Sequence, residues 1–145
     1  MGETPQVPAG PATLPPDPIR ILIADDDRLF ARMLRTRLNA DPHLEIVGIA
    51  GDGSKAVSLA DELEPDLVVM DVNMPVLDGI DATRRMRALA HSPKVVLVTG
   101  EDDDYGTKPY EAGADAYLRK SVELVSLIDV IIAVSQLVGA ATIRH

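Results

Sequence analysis

Acidic, hydroxyl and basic side chains that could together handle a phosphoryl group are spread over most of the sequence. Asp25 and Asp26 follow one short apolar run, Asp71 and Thr99 end two others, and Lys120 closely follows a fourth. Clustered carboxylates repel one another unless a cation neutralises them, and Mg²⁺ is the ion that carboxylates, water and phosphate commonly hold. A carboxylate can also attack a phosphoryl group when cations screen the approaching charges. We therefore predict a magnesium site in which Asp71 accepts a phosphoryl group, with Lys120 as a screening cation and Thr99 as a hydroxyl donor.

Each of these residues also has an ordinary structural explanation. Asp25 to Asp27 could cap the first helix, because Asp is favoured at an N-cap, and we expect Asp27 to do this. Asp71 could be a solvated turn residue, Thr99 a strand-end hydroxyl and Lys120 a surface charge. What favours the chemical interpretation is that all of them fall at strand ends that one fold would bring together.

The elements that must position these residues follow from hydrophobic periodicity. From Ile19 onward, short apolar runs alternate with amphipathic stretches of helical spacing, which predicts five strand and helix pairs. Such alternation indicates an α/β fold, a doubly wound five-stranded parallel sheet with helices on both faces. Ligand sites in open sheets of this kind lie beyond the carboxyl ends of the strands, where the candidate residues stand. The predicted strands are 19–24, 44–50, 67–70, 95–98 and 116–118.

Length and composition predict one domain. The 145 residues suit a single core, which aliphatic side chains must fill because aromatic residues make up 3%. Residues 1–18 contain six of the eleven prolines and are predicted to be disordered, 19–138 form the domain and 139–145 a tail. The net charge of −9 argues against direct nucleic-acid binding. We see no export signal or membrane span, and the absence of cysteine is compatible with the cytoplasm.

Four segments carry a family resemblance: ILIADDD, VVMDVNMPVLDG, VLVTG and AYLRK, in this order. Together they resemble the receiver domain of bacterial two-component response regulators, with its flavodoxin-like fold, over residues 19–138. The closest likeness is to the subfamily usually fused to a helix-turn-helix output domain. The resemblance implies a signalling switch, not an enzyme, in which Asp71 accepts a phosphoryl group from a sensor histidine kinase or a small phosphodonor.

The resemblance also implies a ligand set. Asp26, Asp71 and the main-chain carbonyl of Asn73 would hold Mg²⁺, with Asp25 acting directly or through water and Mn²⁺ as a possible substitute. Thr99 and Lys120 would bind the phosphoryl oxygens.

Further implied roles concern switching and lifetime. Thr99 would move toward the phosphoryl group, leaving Tyr117 free to turn inward. Asn73 and Glu101 occupy the positions that the family associates with phosphoryl lifetime, and this pair resembles members with a short-lived aspartyl phosphate.

The sequence departs from the family pattern after Thr99. The segment is one residue shorter than usual and places Gly106 and Pro109 where the fourth helix belongs, and both residues disfavour a helix interior. We predict a short or irregular fourth helix, such as a single turn starting near Pro109. Val130 and Leu137 are predicted near the polar edge of the last helix, where they could form a homodimer contact or simply belong to the core.

Two other functions stay open at this point. A haloacid-dehalogenase type phosphatase would also use an Asp at a strand end, but it needs a second Asp two residues later, and position 73 is Asn. A pseudo-receiver would keep the fold as a binding module without phosphorylation. Within the receiver interpretation, a single-domain relay and one half of a transcription regulator are both compatible with the sequence.

Overall fold

The computed structural model describes residues 17–100, 104–120 and 126–136. Almost all of the predicted disordered lead-in lies outside these ranges. So do the predicted tail at 139–145, Glu101 and Leu137.

The described chain contains five parallel strands in the order β2-β1-β3-β4-β5. Helices follow the strands on both faces of this sheet, which confirms the predicted doubly wound flavodoxin-like fold. The strands are β1 (Ile19–Ala24), β2 (Leu44–Ala50), β3 (Leu67–Asp71), β4 (Lys94–Thr99) and β5 (Ala116–Arg119). The helices are α1 (Arg28–Asn39), α2 (Gly53–Leu63), α3 (Gly79–Arg87), α4 (Lys108–Glu111) and, after β5, the helical residues 126–136, named α5 here.

The core consists of two aliphatic clusters, one on each face of the sheet. Successive strand residues point to opposite faces, so Ile21 and Ile23 join one cluster while Leu22 joins the other. α1 and α5 cover the first face, whereas α2 and α3 cover the second. All five residues of β3 are buried, as expected for a central strand covered on both sides.

The register of the sheet brings the strand ends level. Ala24 pairs with Met70, so Asp25 emerges beside Asp71. Thr99 pairs with Arg119, which places Lys120 next to the end of β4. The predicted site residues therefore leave the sheet at one edge, although long stretches of sequence separate them.

The fourth helix is a single turn of four residues with Pro109 in its first turn. Gly106, two residues before it, has a φ of +59°, a conformation that disfavours residues with a side chain. The missing N–H of Pro109 is harmless there because the first turn has no intrahelical partner for it. The prediction of a short, late fourth helix is confirmed.

The outer surface of α5 is described only in part. Val130 is half-buried and packs against the cluster that contains Leu127 and Ile131. Of the predicted contact pair, then, the described member also belongs to the rim of the core. Within the described ranges, no helix is long and apolar enough to span a membrane.

Candidate functional site

Three carboxylates converge beyond the ends of β1 and β3. Asp25, Asp26 and Asp71 each offer an oxygen, and these oxygens all lie within 4.8 Å of one another. Asp25 and Asp71 are buried, whereas Asp26 is exposed. The cluster therefore has a buried floor and one side open to solvent.

Lys120 is the cation that faces the two buried acids. Its Nζ donates a hydrogen bond to Asp71 Oδ2 at 3.1 Å and lies 2.8 Å from Asp25 Oδ2, an ion-pair distance. The same ammonium group lies 4.5 Å from the centre of the Phe30 ring, which presents its negative face to the cation. Lys120 therefore bridges the ends of β1 and β3 from its position after β5.

Backbone amides hold the other carboxylate oxygens. Asp25 Oδ1 accepts a hydrogen bond from the Asp27 N–H at 2.8 Å, and Asp71 Oδ1 accepts one from the Asn73 N–H at 3.2 Å. Asp27 caps α1 as predicted, since its Oδ1 accepts from the Leu29 and Phe30 amides. Asp27 thus has a capping role, whereas Asp25 and Asp71 face the cluster.

The donor set fits a hard divalent cation. All three candidate side chains offer carboxylate oxygens, the ligands that Mg²⁺ prefers. Among the described residues Asp25 Oδ2 is buried and accepts no well-directed hydrogen bond, although Lys120 is near it. A buried carboxylate oxygen without a directed donor is costly, and a cation would satisfy it.

The protonation of Asp71 reflects this crowding. The pKa of Asp71 is raised to about 6, mainly by burial and next by the charge of Asp25. Lys120 and the Asn73 amide oppose the shift in the pKa of Asp71. Burial by itself would lower the pKa of Lys120, but the two carboxylates outweigh it and the pKa is raised. The ammonium group is therefore charged at neutral pH.

We expect Asp71→Asn to stabilise the metal-free protein at pH 7. A carboxyl whose folded pKa lies above its unfolded value stabilises the fold at low pH, and this contribution is lost as pH rises through about 6. The gain from Asp71→Asn should be about 1–2 kcal/mol, because the buried charge is removed. The gain is limited to this range because Lys120 loses one of its two carboxylate partners. Urea unfolding in EDTA measures it. The gain should shrink toward pH 4.5. A variant less stable than the wild type at pH 7 would contradict the claim that the buried charge of Asp71 destabilises the metal-free protein.

The segment MPVLDG lies in the turn that connects Asp71, at the end of β3, to the beginning of α3. Asp78 caps α3 by accepting a hydrogen bond from the Asp81 amide, and the Gly79 N–H donates to the Val72 carbonyl at 2.7 Å. A Cβ at Gly79 would lie 2.3 Å from the Asp71 carbonyl oxygen. Only glycine lets α3 begin this close to the end of β3.

Tyr105 is a neighbour of the site that the sequence analysis did not identify. Its hydroxyl donates a hydrogen bond to Asn73 Oδ1 at 2.7 Å and so joins the segment after β4 to the loop after β3. The ring is half-buried against the cluster under α2 and α3. The only signal in the sequence was an aromatic residue directly after a run of acids.

The remaining predicted residues lie where the register places them. Thr99 is buried, with 1% of its surface exposed, at the end of β4 beside Asp71. Tyr117 on β5 is half-buried and meets Tyr110 of α4 edge to face, with ring centres 6.4 Å apart. The structure therefore brings Asp25, Asp26, Asp71 and Lys120 into one cluster, with Thr99 at the adjacent strand end.

A parallel sheet in this strand order with three acids and a lysine at its carboxyl edge defines a receiver-type protein. The family model for the response regulator receiver domain matches residues 21–132. The chain belongs to this family, which confirms the resemblance drawn from the sequence motifs.

Individual relatives agree with this assignment. Transcriptional regulatory protein LiaR of Bacillus subtilis is 40% identical over 119 residues, which cover 81% of this chain and 56% of the relative. Protein-glutamate methylesterase/protein-glutamine glutaminase 4 of Myxococcus xanthus is 45% identical over 106 residues, 72% of this chain and 30% of that protein. The chain thus spans about half or less of these relatives.

A solved structure shows the same fold. A LuxR-family two-component response regulator from Aurantimonas superposes with a TM-score of 0.77 at 30% identity, covering 83% of this chain and 86% of the other. Together with LiaR, it confirms the predicted likeness to receivers of transcription regulators.

Proposed function

We propose that this receiver domain is a Mg²⁺-dependent switch whose phosphoryl acceptor is Asp71. The observation that carries the proposal is the arrangement around Lys120, which contacts two buried carboxylates beside a third that is exposed. Two buried acids would repel one another without a cation, so the site is arranged for positive charge. A further cation and a phosphoryl group would complete this balance.

Asp71 would act as the nucleophile. One carboxylate oxygen would attack phosphorus, and the bond from phosphorus to the donor nitrogen or oxygen would break, with its electron pair leaving on the donor. Lys120 would pair with the phosphoryl oxygens, and the Thr99 hydroxyl would donate to one of them. Asp25, Asp26, Asp71 and the carbonyl of Asn73 would hold Mg²⁺ or Mn²⁺, which when bound supplies the charge neutralisation that phosphoryl transfer needs.

The change at Asp71 would spread through Thr99 and Tyr117. A doubly charged phosphoryl group attracts hydroxyl donors, so a shift of Thr99 toward it would let Tyr117 repack between β5 and α4. Asn73 and Glu101 would set the lifetime, and we expect a short-lived aspartyl phosphate. Glu101 lies outside the described residues, so this part of the proposal depends on the sequence.

The proposed setting is a cytoplasmic two-component pathway. A sensor histidine kinase would donate the phosphoryl group, and the domain would assist only its own phosphorylation and dephosphorylation. The net charge of −9 disfavours direct contact with nucleic acid, so any regulation of transcription would act through another domain or partner. A homodimer contact through Val130 and Leu137 remains a prediction.

Amide NMR with the phosphoryl mimic beryllofluoride tests this proposal. We expect Mg²⁺ and beryllofluoride together to shift the amide signals of Asp71, Asn73, Thr99 and Tyr117. The same addition should not produce these shifts in Asp71→Asn. A pseudo-receiver would show no shifts in the wild type. A phosphatase of the haloacid-dehalogenase type would instead turn over a phosphomonoester continuously, but Asn73 stands where that mechanism needs an acid.

We expect Tyr105→Phe to weaken Mg²⁺ binding a few-fold. The change removes only the hydroxyl that restrains Asn73, whose carbonyl is a proposed ligand, and one such hydrogen bond contributes about 1 kcal/mol. Tyr110→Phe, at a half-exposed ring, is the matched control. Calorimetric titration with MgCl₂ measures both variants. An affinity for Tyr105→Phe equal to that of Tyr110→Phe would show that the hydrogen bond does not position the site.

A further inference from the structure

A basic cavity lies beside the acidic cluster, between the beginnings of α1 and α2. It has a volume of about 500 Å³, is open to solvent and adjoins the carboxyl end of the edge strand β2. The side chains of Ala31 and Ile49 are its main apolar surface. The charged residues of its wall are Arg28, Arg32, Arg35, Lys55, Asp25 and Asp52.

The three arginines form one stripe along α1. They are spaced by four and three residues, so their side chains share a helix face. Among the described residues, no acidic side chain forms an ion pair with any of them or with Lys55. Like charges at these spacings destabilise a helix.

The positions of the cations in the helices add to this positive potential. Arg28 and Lys55 lie in the first turns of α1 and α2, where the partial positive charge of the helix end disfavours cations. The cavity therefore collects two helix ends and four cationic side chains in a chain whose net charge is −9.

The two acids of the wall are engaged elsewhere. Asp25 faces Lys120 and accepts the Asp27 amide, and Asp52 caps α2 by accepting the Lys55 amide at 2.7 Å. Neither carboxylate contacts an arginine of the stripe. The charge that an occupant would meet is consequently positive.

We propose that this cavity binds a small, multiply phosphorylated anion. Guanidinium groups match phosphate oxygens in paired hydrogen bonds, and three of them with one lysine suit a ligand that carries two or more phosphate groups. The volume lies in the range of small-molecule sites, and a wall in which six of the nine residues are charged disfavours a mainly hydrophobic ligand. The overall negative charge opposes a long polyanion such as nucleic acid, which would extend beyond the basic wall.

Titration with inorganic pyrophosphate in EDTA tests this site separately from the chemistry at Asp71. Without divalent cations the acidic cluster repels anions, so binding there does not contribute. We expect saturable binding by calorimetry, with amide NMR shifts concentrated in residues 28–35 and 51–55. Chloride and sulfate at equal ionic strength should compete weakly.

Matched variants locate the binding. Arg32→Gln combined with Lys55→Gln should weaken pyrophosphate binding at least about tenfold, since each removes a charge-assisted contact. Arg37→Gln, on the same helix outside the cavity, should change it less than about twofold. All of these side chains are exposed, so thermal unfolding should confirm intact folds.

Three results of the pyrophosphate titrations would overturn the proposal. These are no saturation at millimolar pyrophosphate, equal weakening by Arg37→Gln, and equal binding of sulfate, which would indicate an adventitious ion only. Binding to anionic lipid vesicles but not to pyrophosphate would likewise overturn it, in favour of a membrane surface. Because Asp71→Asn should bind pyrophosphate like the wild type, failure of the phosphoacceptor proposal would leave this result unchanged.

Discussion

Replacing Lys120 with Met should destabilise the metal-free protein at pH 7 by about 2–3 kcal/mol. The substitution leaves the buried carboxylates of Asp25 and Asp71 side by side without their cation. Removing one partner of a fully buried pair costs about 3–5 kcal/mol, and the smaller value expected here reflects the 20% of the Lys120 side chain that is exposed. Urea unfolding in EDTA measures the loss.

The pH dependence of this loss follows from the pKa of Asp71. Without Lys120 the folded pKa of Asp71 rises further above its unfolded value, because one of the effects that lowers it is gone. The destabilisation should therefore grow as pH rises through this pKa and shrink near pH 5, where the carboxyl takes up a proton. Lys108→Met, at an exposed lysine of α4, should change stability by less than about 0.5 kcal/mol at either pH. A Lys120→Met loss that is the same at both pH values would contradict the electrostatic explanation.

The same variant should slow phosphorylation. Lys120 is the only side-chain cation within ion-pair distance of Asp71 among the described residues, and removing one positioned donor to a developing negative charge commonly costs a hundredfold or more. We expect the rate with acetyl phosphate and saturating Mg²⁺ to fall at least about tenfold, since the metal would still screen part of the charge. A rate equal to that of Lys108→Met would exclude Lys120 from the chemistry.

Gly79→Ala should lower both the stability of the fold and the affinity of the site for Mg²⁺, because the added methyl group would collide with the backbone. The added methyl group would lie 2.3 Å from the Asp71 carbonyl oxygen and 2.9 Å from the Val72 Cα, and neither atom can move without shifting the end of β3. Overpacking of this kind costs about 1–3 kcal/mol, and we expect the upper part of that range because both atoms belong to the backbone. Mg²⁺ affinity should fall with it, since Asp71 moves relative to Asp25.

Gly51→Ala is the matched control for this effect. A Cβ at Gly51 meets no heavy atom within 4 Å, so its stability should stay within about 0.5 kcal/mol of the wild type. Chemical denaturation and calorimetric titration with MgCl₂ measure the two variants side by side. If Gly79→Ala matched Gly51→Ala in both stability and Mg²⁺ affinity, the close approach of α3 to the end of β3 would have no energetic consequence.

The sheet and its edge could be predicted because both depend on patterns local to the sequence. The strand β3 is a continuous apolar run, and its acid stands directly at the strand end, so the fold fixes where Asp71 emerges. The parallel register then brings Asp25 and Lys120 to it without further information. The single turn of α4 was predicted for the same reason, since Pro109 and Gly106 restrict the backbone by themselves.

Contacts between loops could not be predicted. The Tyr105 hydroxyl meets Asn73 across 32 positions of sequence, and no periodicity encodes that distance. The basic cavity likewise depends on how α1 and α2 are placed around β2, although the spacing of its arginines is visible in the sequence. Tyr117 was predicted as a switch residue, and its edge-to-face contact with Tyr110 depends on where the short α4 packs.

Intact mass measurement after incubation with acetyl phosphate and Mg²⁺ tests the central claim about Asp71 most directly. We predict that the wild type gains the mass of one phosphoryl group, that EDTA prevents the gain and that peptide mapping places the group on Asp71. Asp71→Asn should gain nothing while keeping its fold. An unmodified wild type, or equal modification of Asp71→Asn, would contradict the assignment of Asp71 as the phosphoryl acceptor.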